Sequence, residues 1–243
     1  MAIDKPAGWM LAPDSWTRTG RNLHLALDHS IKSRDPWAQS RGLKFLRFVH
    51  RLDAGTSGIV LLVKSRGAVQ AYSELFQSRQ VEKRYLAVVH GIPEPATWTC
   101  HLPLGEHPRR PWVMRVDQSA GKPAETAFRL LESRADCSLI EARPVTGRTH
   151  QIRVHLTAGG HPVVGDTLYG QRNSRTLKET PPQDSPPSAL ALRAVGLSYV
   201  DPFQRRRIRI EAPVAGFLRQ FGFASTAAGT SFETFPPSRR QTS

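Results

Sequence analysis

Residues 59–63 are an unbroken apolar run, Ile59-Val60-Leu61-Leu62-Val63, the pattern of a strand covered on both faces and here read as a central one. Upstream, Leu23, Ala26 and Leu27 sit at helical spacing within residues 22–31 until Asp35-Pro36 interrupts them, which predicts a short helix and then a loop. Downstream, Val69, Tyr72 and Phe76 recur at i, i+3 and i+7 within residues 66–77, an amphipathic helix that returns across the sheet. Strand patterns follow at residues 84–89, 125–131, 139–143, 190–200 and 207–211. The stretch 94–122 is rich in Pro and Arg and predicts a loop or short hairpin extending from the core. Thr149 stands as the N-cap of a helix that ends at Gly159-Gly160.

Short strands interleaved with few helices favour an α+β fold: a mixed, mainly antiparallel sheet with flanking helices. One domain is expected over residues 1–222, containing a polar Pro/Ser-rich linker or loop at 171–188, with a disordered tail at 223–243. Ile3 runs into the Lys5-Pro6-Ala7-Gly8 turn with no strand ahead of it, so an upstream segment is expected to be missing.

Charge narrows the partner class. Lys and Arg total 34 against 20 Asp and Glu, a net charge of +14, which points to a polyanion and foremost to nucleic acid. The pairs and runs Arg109-Arg110 and Arg205-Arg206-Arg207 are candidate phosphate contacts, although such clusters are often solvated loops. Two cysteines, Cys100 and Cys137, support neither a disulfide framework nor a zinc site and fit a reducing cytosol. No apolar run reaches transmembrane length and no leader pattern opens the chain, so a soluble, cytoplasmic protein without membrane contact is expected.

The densest polar cluster is His50-Arg51-Leu52-Asp53-Ala54-Gly55-Thr56-Ser57-Gly58, set between apolar segments. Its glycines let the backbone turn and a substrate approach, which makes Asp53 a candidate reactive carboxylate. On residues alone, an Asx-turn in which Asp53 only caps its own loop fits equally well. Arg51 reads as a surface cation, Tyr85 as a half-buried strand residue, and Arg153 as a solvated helix arginine beside Ile152 and Leu156, which share the core stripe. His50, His150 and His155 have no metal-ligand spacing and read as hydrogen-bonding scaffold.

This cluster resembles the signature of the RluA family of RNA pseudouridine synthases. Further blocks agree in order: Asp4-Lys5-Pro6-Ala7-Gly8, Lys83-Arg84-Tyr85-Leu86-Ala87, Gly147-Arg148-Thr149-His150-Gln151-Ile152-Arg153 and Gly165-Asp166-x-x-Tyr169-Gly170. The resemblance implies the pseudouridine synthase fold with a central RNA-binding cleft, and an isomerase that flips uridine out of structured RNA, ribosomal or transfer. It assigns Asp53 as the catalytic carboxylate, Tyr85 as the tyrosine that stacks on the base, and Arg153 as the basic partner of Asp53. Arg51 matches the side chain that fills the gap left by the flipped nucleotide, and His50, Thr56, Arg148, His150 and Gln151 are expected on the substrate-binding side. The rearrangement adds no external group, so no cofactor or metal is expected, and a monomer suffices. Arg193 departs from the family, which usually carries histidine there. Two other readings stay open: a non-catalytic RNA-binding protein on the same fold, and an ATP-dependent kinase using Asp53-Ala54-Gly55-Thr56-Ser57 as a phosphate loop.

Overall fold

The computed structural model describes residues 1–11, 21–170 and 189–224; the expected linker at 171–188 and all of the expected tail beyond residue 224 lie outside the described residues. A strand does precede the Lys-Pro turn. Strand β1 (Ala2–Lys5) lies antiparallel to the apolar run, pairing Ala2 with Leu61 and Lys5 with Gly58. Four residues are too few to show strand alternation, which is why sequence reading passed over it. Helix α1 (Leu23–Lys32) begins where the Asn22 side chain accepts the Leu25 N–H at 3.1 Å. Helix α2 (Pro36–Gln39) starts at the very proline taken as an interruption, since proline suits a first helical turn.

The apolar run is β3 (Ser57–Val63), with the short β2 (Arg47–Phe48) beside it. Burial on both faces holds: Ile59, Leu61 and Val63 pack with Leu75, whereas Leu62 packs with Ala38 and Leu43. Leu75 belongs to α3 (Val69–Gln77), the amphipathic helix, entered through a 3-10 turn at Arg66–Ala68. Next come β4 (Glu82–His90) and β5 (Thr97–Cys100), then β6 (Leu104–His107) and β7 (Arg110–Val116). Strands β8 (Thr126–Ser133) and β9 (Cys137–Pro144) precede α4 (Gln151–Ala158); β10 (Leu192–Val200), β11 (Arg207–Glu211) and α5 (Ala215–Gln220) close the described chain.

Among the described residues nine strands make one sheet in the order β1-β3-β10-β4-β9-β8-β5, with β2 also on β3 and β11 also on β10. Only the β3–β10 pair is parallel, so the sheet is mixed and mainly antiparallel, as expected. β3 is interior but stands next to the edge strand β1; β10 and β4 occupy the middle. The stretch 94–122 is more ordered than a loop: β5 joins the sheet beside β8, and β6 and β7 form a separate two-stranded hairpin. The main core joins Leu86 and Val88 of β4 and Ile140 of β9 to Ile152 and Leu156 of α4 and to Phe217 and Leu218 of α5.

Candidate active site

The loop after β2 is held from three directions. The His50 Nε2 accepts the Leu61 N–H at 2.9 Å, and its ring stacks on Phe76 with centroids 4.4 Å apart. Burial first, then the charge of Lys83, push this imidazole down to about 3, so it is a neutral brace between loop, sheet and helix α3. Beneath the loop, the fully buried Lys5 donates to the carbonyls of Pro6, Trp9 and Ala54 at 3.0, 2.9 and 3.0 Å. Burial pushes its ammonium down to about 8, with the Asp53 charge opposing the shift. The Gly8 N–H also donates to Ala54, at 2.8 Å. The Lys5-Pro6-Ala7-Gly8 block is therefore the support on which Asp53 stands, a role its sequence did not disclose.

Helix α4 brings the second half of the site. Thr149 does not cap it: the preceding residue is His150, in the left-handed region at φ 54. The entry is organised by Gln151, whose Oε1 accepts from Thr146 Oγ1 and the Arg148 N–H at 2.6 and 2.9 Å, and whose Nε2 donates to Glu125 O and Thr126 Oγ1, both at 2.9 Å. With its amide engaged inside the protein, Gln151 holds the helix start against β8 although it borders the cavity. The unusual backbone at His150 aims its ring between two partners: Nδ1 lies 2.7 Å from the Tyr169 hydroxyl and Nε2 lies 3.8 Å from Asp53 Oδ2. Burial holds the His150 imidazole below its ordinary value, with the Asp53 charge opposing.

Arg153 is buried, not solvated. Its Nη1 donates to Asp53 Oδ2 at 3.3 Å, so the two residues meet across the cavity. Its tighter partner is Asp166, which takes Nε at 2.7 Å and Nη2 at 2.8 Å. Burial of Asp166 opposes its charge, yet the Arg153 hydrogen bonds and the N–H groups of Tyr169 and Leu168 hold its carboxyl below the usual range. The guanidinium also lies over the Tyr169 ring, 4.9 Å from its centroid. Asp166 and Tyr169 were part of a motif but carried no assigned role; only the fold shows what they touch.

Tyr85 stands on β4 opposite Ala194 of β10 on one side and Ala142 of β9 on the other. These two small neighbours leave room for a ring above the sheet. Burial and then the Asp53 charge raise its phenol above the ordinary value, which keeps it protonated. Asp53, Tyr85 and Arg153 all line one cavity of about 560 Å³, inside the roughly 300–1,000 Å³ range of ligand pockets. Arg51 and Arg148 line it too, Arg51 exposed and Arg148 donating through Nε to Pro123 O at 3.1 Å; Thr56 lines it as a buried residue.

Arg193 uses its extra reach outside this set. It donates to Asp4 Oδ2 at 2.6 Å and to Pro213 O at 2.9 and 3.2 Å, tying β1 to the segment before α5. Among the described residues no three His, Cys, Asp or Glu side chains are grouped to hold a metal ion, and no helix is long and apolar enough to cross a membrane.

A family model described as RNA pseudouridylate synthase matches residues 1–158. The chain is 34% identical over 220 residues to the ribosomal large subunit pseudouridine synthase C of Vibrio cholerae, covering 90% of this chain and 64% of that protein. To the Escherichia coli K12 protein of the same name it is 34% identical over 228 residues, covering 90% and 65%. The chain thus spans slightly less than two thirds of the length of these curated relatives. Human RNA pseudouridylate synthase domain containing 1 superposes with a TM-score of 0.66 at 27% identity, covering 90% of this chain and 82% of that one. Human RNA pseudouridylate synthase domain containing 4 shares the fold with a TM-score of 0.68 at 23% identity, covering 90% and 88%.

Proposed function

Because the chain belongs to the RNA pseudouridylate synthase family, within its RluA branch, we propose that it isomerises uridine in RNA to pseudouridine, with Asp53 as the essential carboxylate. The reaction breaks the bond between N1 and the ribose, forms one between C5 and the ribose, removes the C5 proton and returns a proton to N1. No group is gained or lost, so the residues that bind, orient and move a proton suffice. The relatives named as acting on the ribosomal large subunit favour ribosomal RNA over transfer RNA as the substrate.

One observation carries the reading: Asp53, Tyr85 and Arg153, from three separated sequence blocks, converge on the same cavity, with Arg153 within 3.3 Å of Asp53. A uridine within structured RNA must leave its stack to reach that carboxylate, at a cost of roughly a few kcal/mol. Arg51, exposed beside Asp53, is suited to occupy the vacated space, and the cavity-lining cations Arg79, Lys83 and Arg148 are suited to hold phosphates. Tyr85 stacks on the extruded base and assists departure of the C5 proton, its oxygen taking that proton as its own hydroxyl proton passes to solvent. We take residues 1–222 as the catalytic domain, acting as a cytoplasmic monomer: one copy carries the full set of site residues, and both cysteines are free, as a reducing compartment would keep them.

Asp53→Asn tests the proposal. Pseudouridine formation should fall below detection while RNA affinity stays within about threefold, because the isosteric amide removes chemistry and not the surface. Turnover surviving in D53N ends the mechanistic assignment. Wild-type protein that binds RNA and yields no product instead supports the non-catalytic RNA-binding reading. Tyr85→Phe should retain base binding with kcat lowered roughly 10²-fold or more; a wild-type rate reassigns Tyr85 to packing.

A further inference from the structure

We propose that Asp166 is a positioning residue for the Asp53 site: its carboxylate locks the Arg153 guanidinium side-on, so that a single amino group is presented to Asp53. The inference rests on the reading of Asp53 as the reactive carboxylate. A guanidinium is a rigid planar fork whose edges can each grip a carboxylate through two parallel N–H groups. Asp166 occupies the Nε/Nη2 edge at 2.7 and 2.8 Å, whereas Asp53 receives Nη1 alone at 3.3 Å. The shorter, two-toothed contact sets the orientation and the longer one follows from it.

Asp166 can do this because it is itself immobile. Its side chain is fully buried, and its Oδ1 accepts the N–H groups of Leu168 and Tyr169 at 3.0 Å each. The Tyr169 ring underlies the guanidinium, and its hydroxyl accepts the Met114 N–H at 2.9 Å and meets His150 Nδ1 at 2.7 Å. The 166–169 turn therefore fixes Arg153 by charge, by hydrogen bonds and by a ring face at once. Charge matters as well as direction. Two carboxylates share one guanidinium in this cluster, so Asp53 is oriented without being fully neutralised, which leaves its negative charge for the substrate.

If Asp166 acts through Arg153, its effect must vanish when Arg153 can no longer be gripped. Steady-state turnover on RNA by the full chain should show Asp166→Asn lowering kcat about 100-fold with little change in KM. Arg153→Lys, which cannot form the two-toothed contact, should lose a similar factor, and the double variant should be no slower than the slower single variant. Losses that multiply, or a wild-type kcat in D166N, overturn the proposal. A second measurement needs neither turnover nor a stable variant at position 166. In wild-type protein without RNA, the NMR signal of the Arg153 Nε proton, identified by its disappearance in R153K, should exchange with solvent far more slowly than those of exposed arginines. Exchange as fast as theirs overturns the proposal. A protected Nε proton in a protein that modifies no RNA would instead refute the proposed function and leave the positioning geometry standing.

Discussion

Position 58 admits no side chain. Gly58 has φ +111, and a Cβ built there would sit 2.0 Å from the carbonyl oxygen of Ala194 and 2.7 Å from its nitrogen, because β3 and β10 pair in parallel at this point. Both faults are backbone faults that no rotamer relieves, so Gly58→Ala should cost about 4 kcal/mol or more, at the upper end of single substitutions; a denaturant midpoint near wild type would disprove the close approach. His50 supplies a pH test. Its folded value is depressed to about 3 from an ordinary 6.5, so stability is fully present above pH 6.5 and is lost as pH falls from there toward 3, where the unfolded chain takes up a proton that the folded chain refuses. The slope should approach ~1.4 kcal/mol per pH unit for this proton, and His50→Gln should remove that part of it in denaturant titrations run across the window. Asp53, Tyr85 and Arg153 were singled out by the resemblance, because each sits in a dense motif block, whereas residues alone left Asp53 equally a turn cap, Tyr85 a packing tyrosine and Arg153 a solvated arginine; the fold places all three on one cavity. The sequence concealed Asp166 because the contact that matters, across 13 residues from a turn to a helix, depends on where the turn folds back. It misassigned Thr149 because a hydroxyl residue ahead of a helix is the usual cap, whereas here the Gln151 side chain and a left-handed His150 do that work.

Three neighbouring strands converge on one buried carboxylate. Glu141 of β9 is inaccessible and accepts hydrogen bonds from Arg84 of β4 at 3.1 Å, Arg129 of β8 at 2.6 Å and Arg143 of β9 at 2.6 Å. Burial opposes its charge, but the arginines hold its carboxyl below the ordinary value. Its contribution to stability is thus present above the unfolded carboxylate range and lost as pH falls through the folded value. Glu141→Gln keeps the shape and leaves the cations facing a neutral amide, which should destabilise the protein by about 3 kcal/mol; a loss under about 1 kcal/mol in denaturant unfolding would show that solvent screens the partly exposed Arg129 and Arg143. Strands of this kind were legible from β-branched and apolar runs, and helices α1 and α3 from their spacing. Less legible were elements defined by distant partners: β1 is a strand only because β3 offers it an edge, β5 because β8 does, and α5 is six residues long with no room for a period. The rank of β3 within the sheet was equally hidden, since burial on both faces follows from any interior position and does not single out the middle.

A net charge of +14 says that the molecule attracts polyanions but not which face receives them. The fold separates the two arginine clusters. Arg109 and Arg110 lie at the exposed turn of the β6–β7 hairpin, whose Met114 N–H donates to the Tyr169 hydroxyl, itself 2.7 Å from His150 of the cavity. The hairpin is thereby registered to the site. Arg205 to Arg207 follow the far end of β10, beyond Val200, whereas the strand meets Tyr85 at Ala194; Arg207 is further engaged by Glu82 at 3.2 Å. Phosphates of a bound RNA centred on the cavity should therefore be neutralised by the hairpin pair more than by the second cluster. Binding measured over a salt series with the D53N protein, in which turnover is expected to be absent, checks this. Each phosphate contact contributes about −0.7 to −0.9 to the slope of log K against log salt, so replacing Arg109 and Arg110 with Ala should flatten the slope by roughly 1.5, while replacing Arg205 and Arg206 should change it by less than half as much. In otherwise wild-type protein, kcat at saturating RNA should be unchanged by either pair, because neither borders Asp53. Equal slopes for the hairpin variant and its parent would return Arg109 and Arg110 to the status of solvated cations and leave, among the described residues, the cavity-lining cations such as Arg51, Arg79, Lys83 and Arg148 as the favoured phosphate contacts.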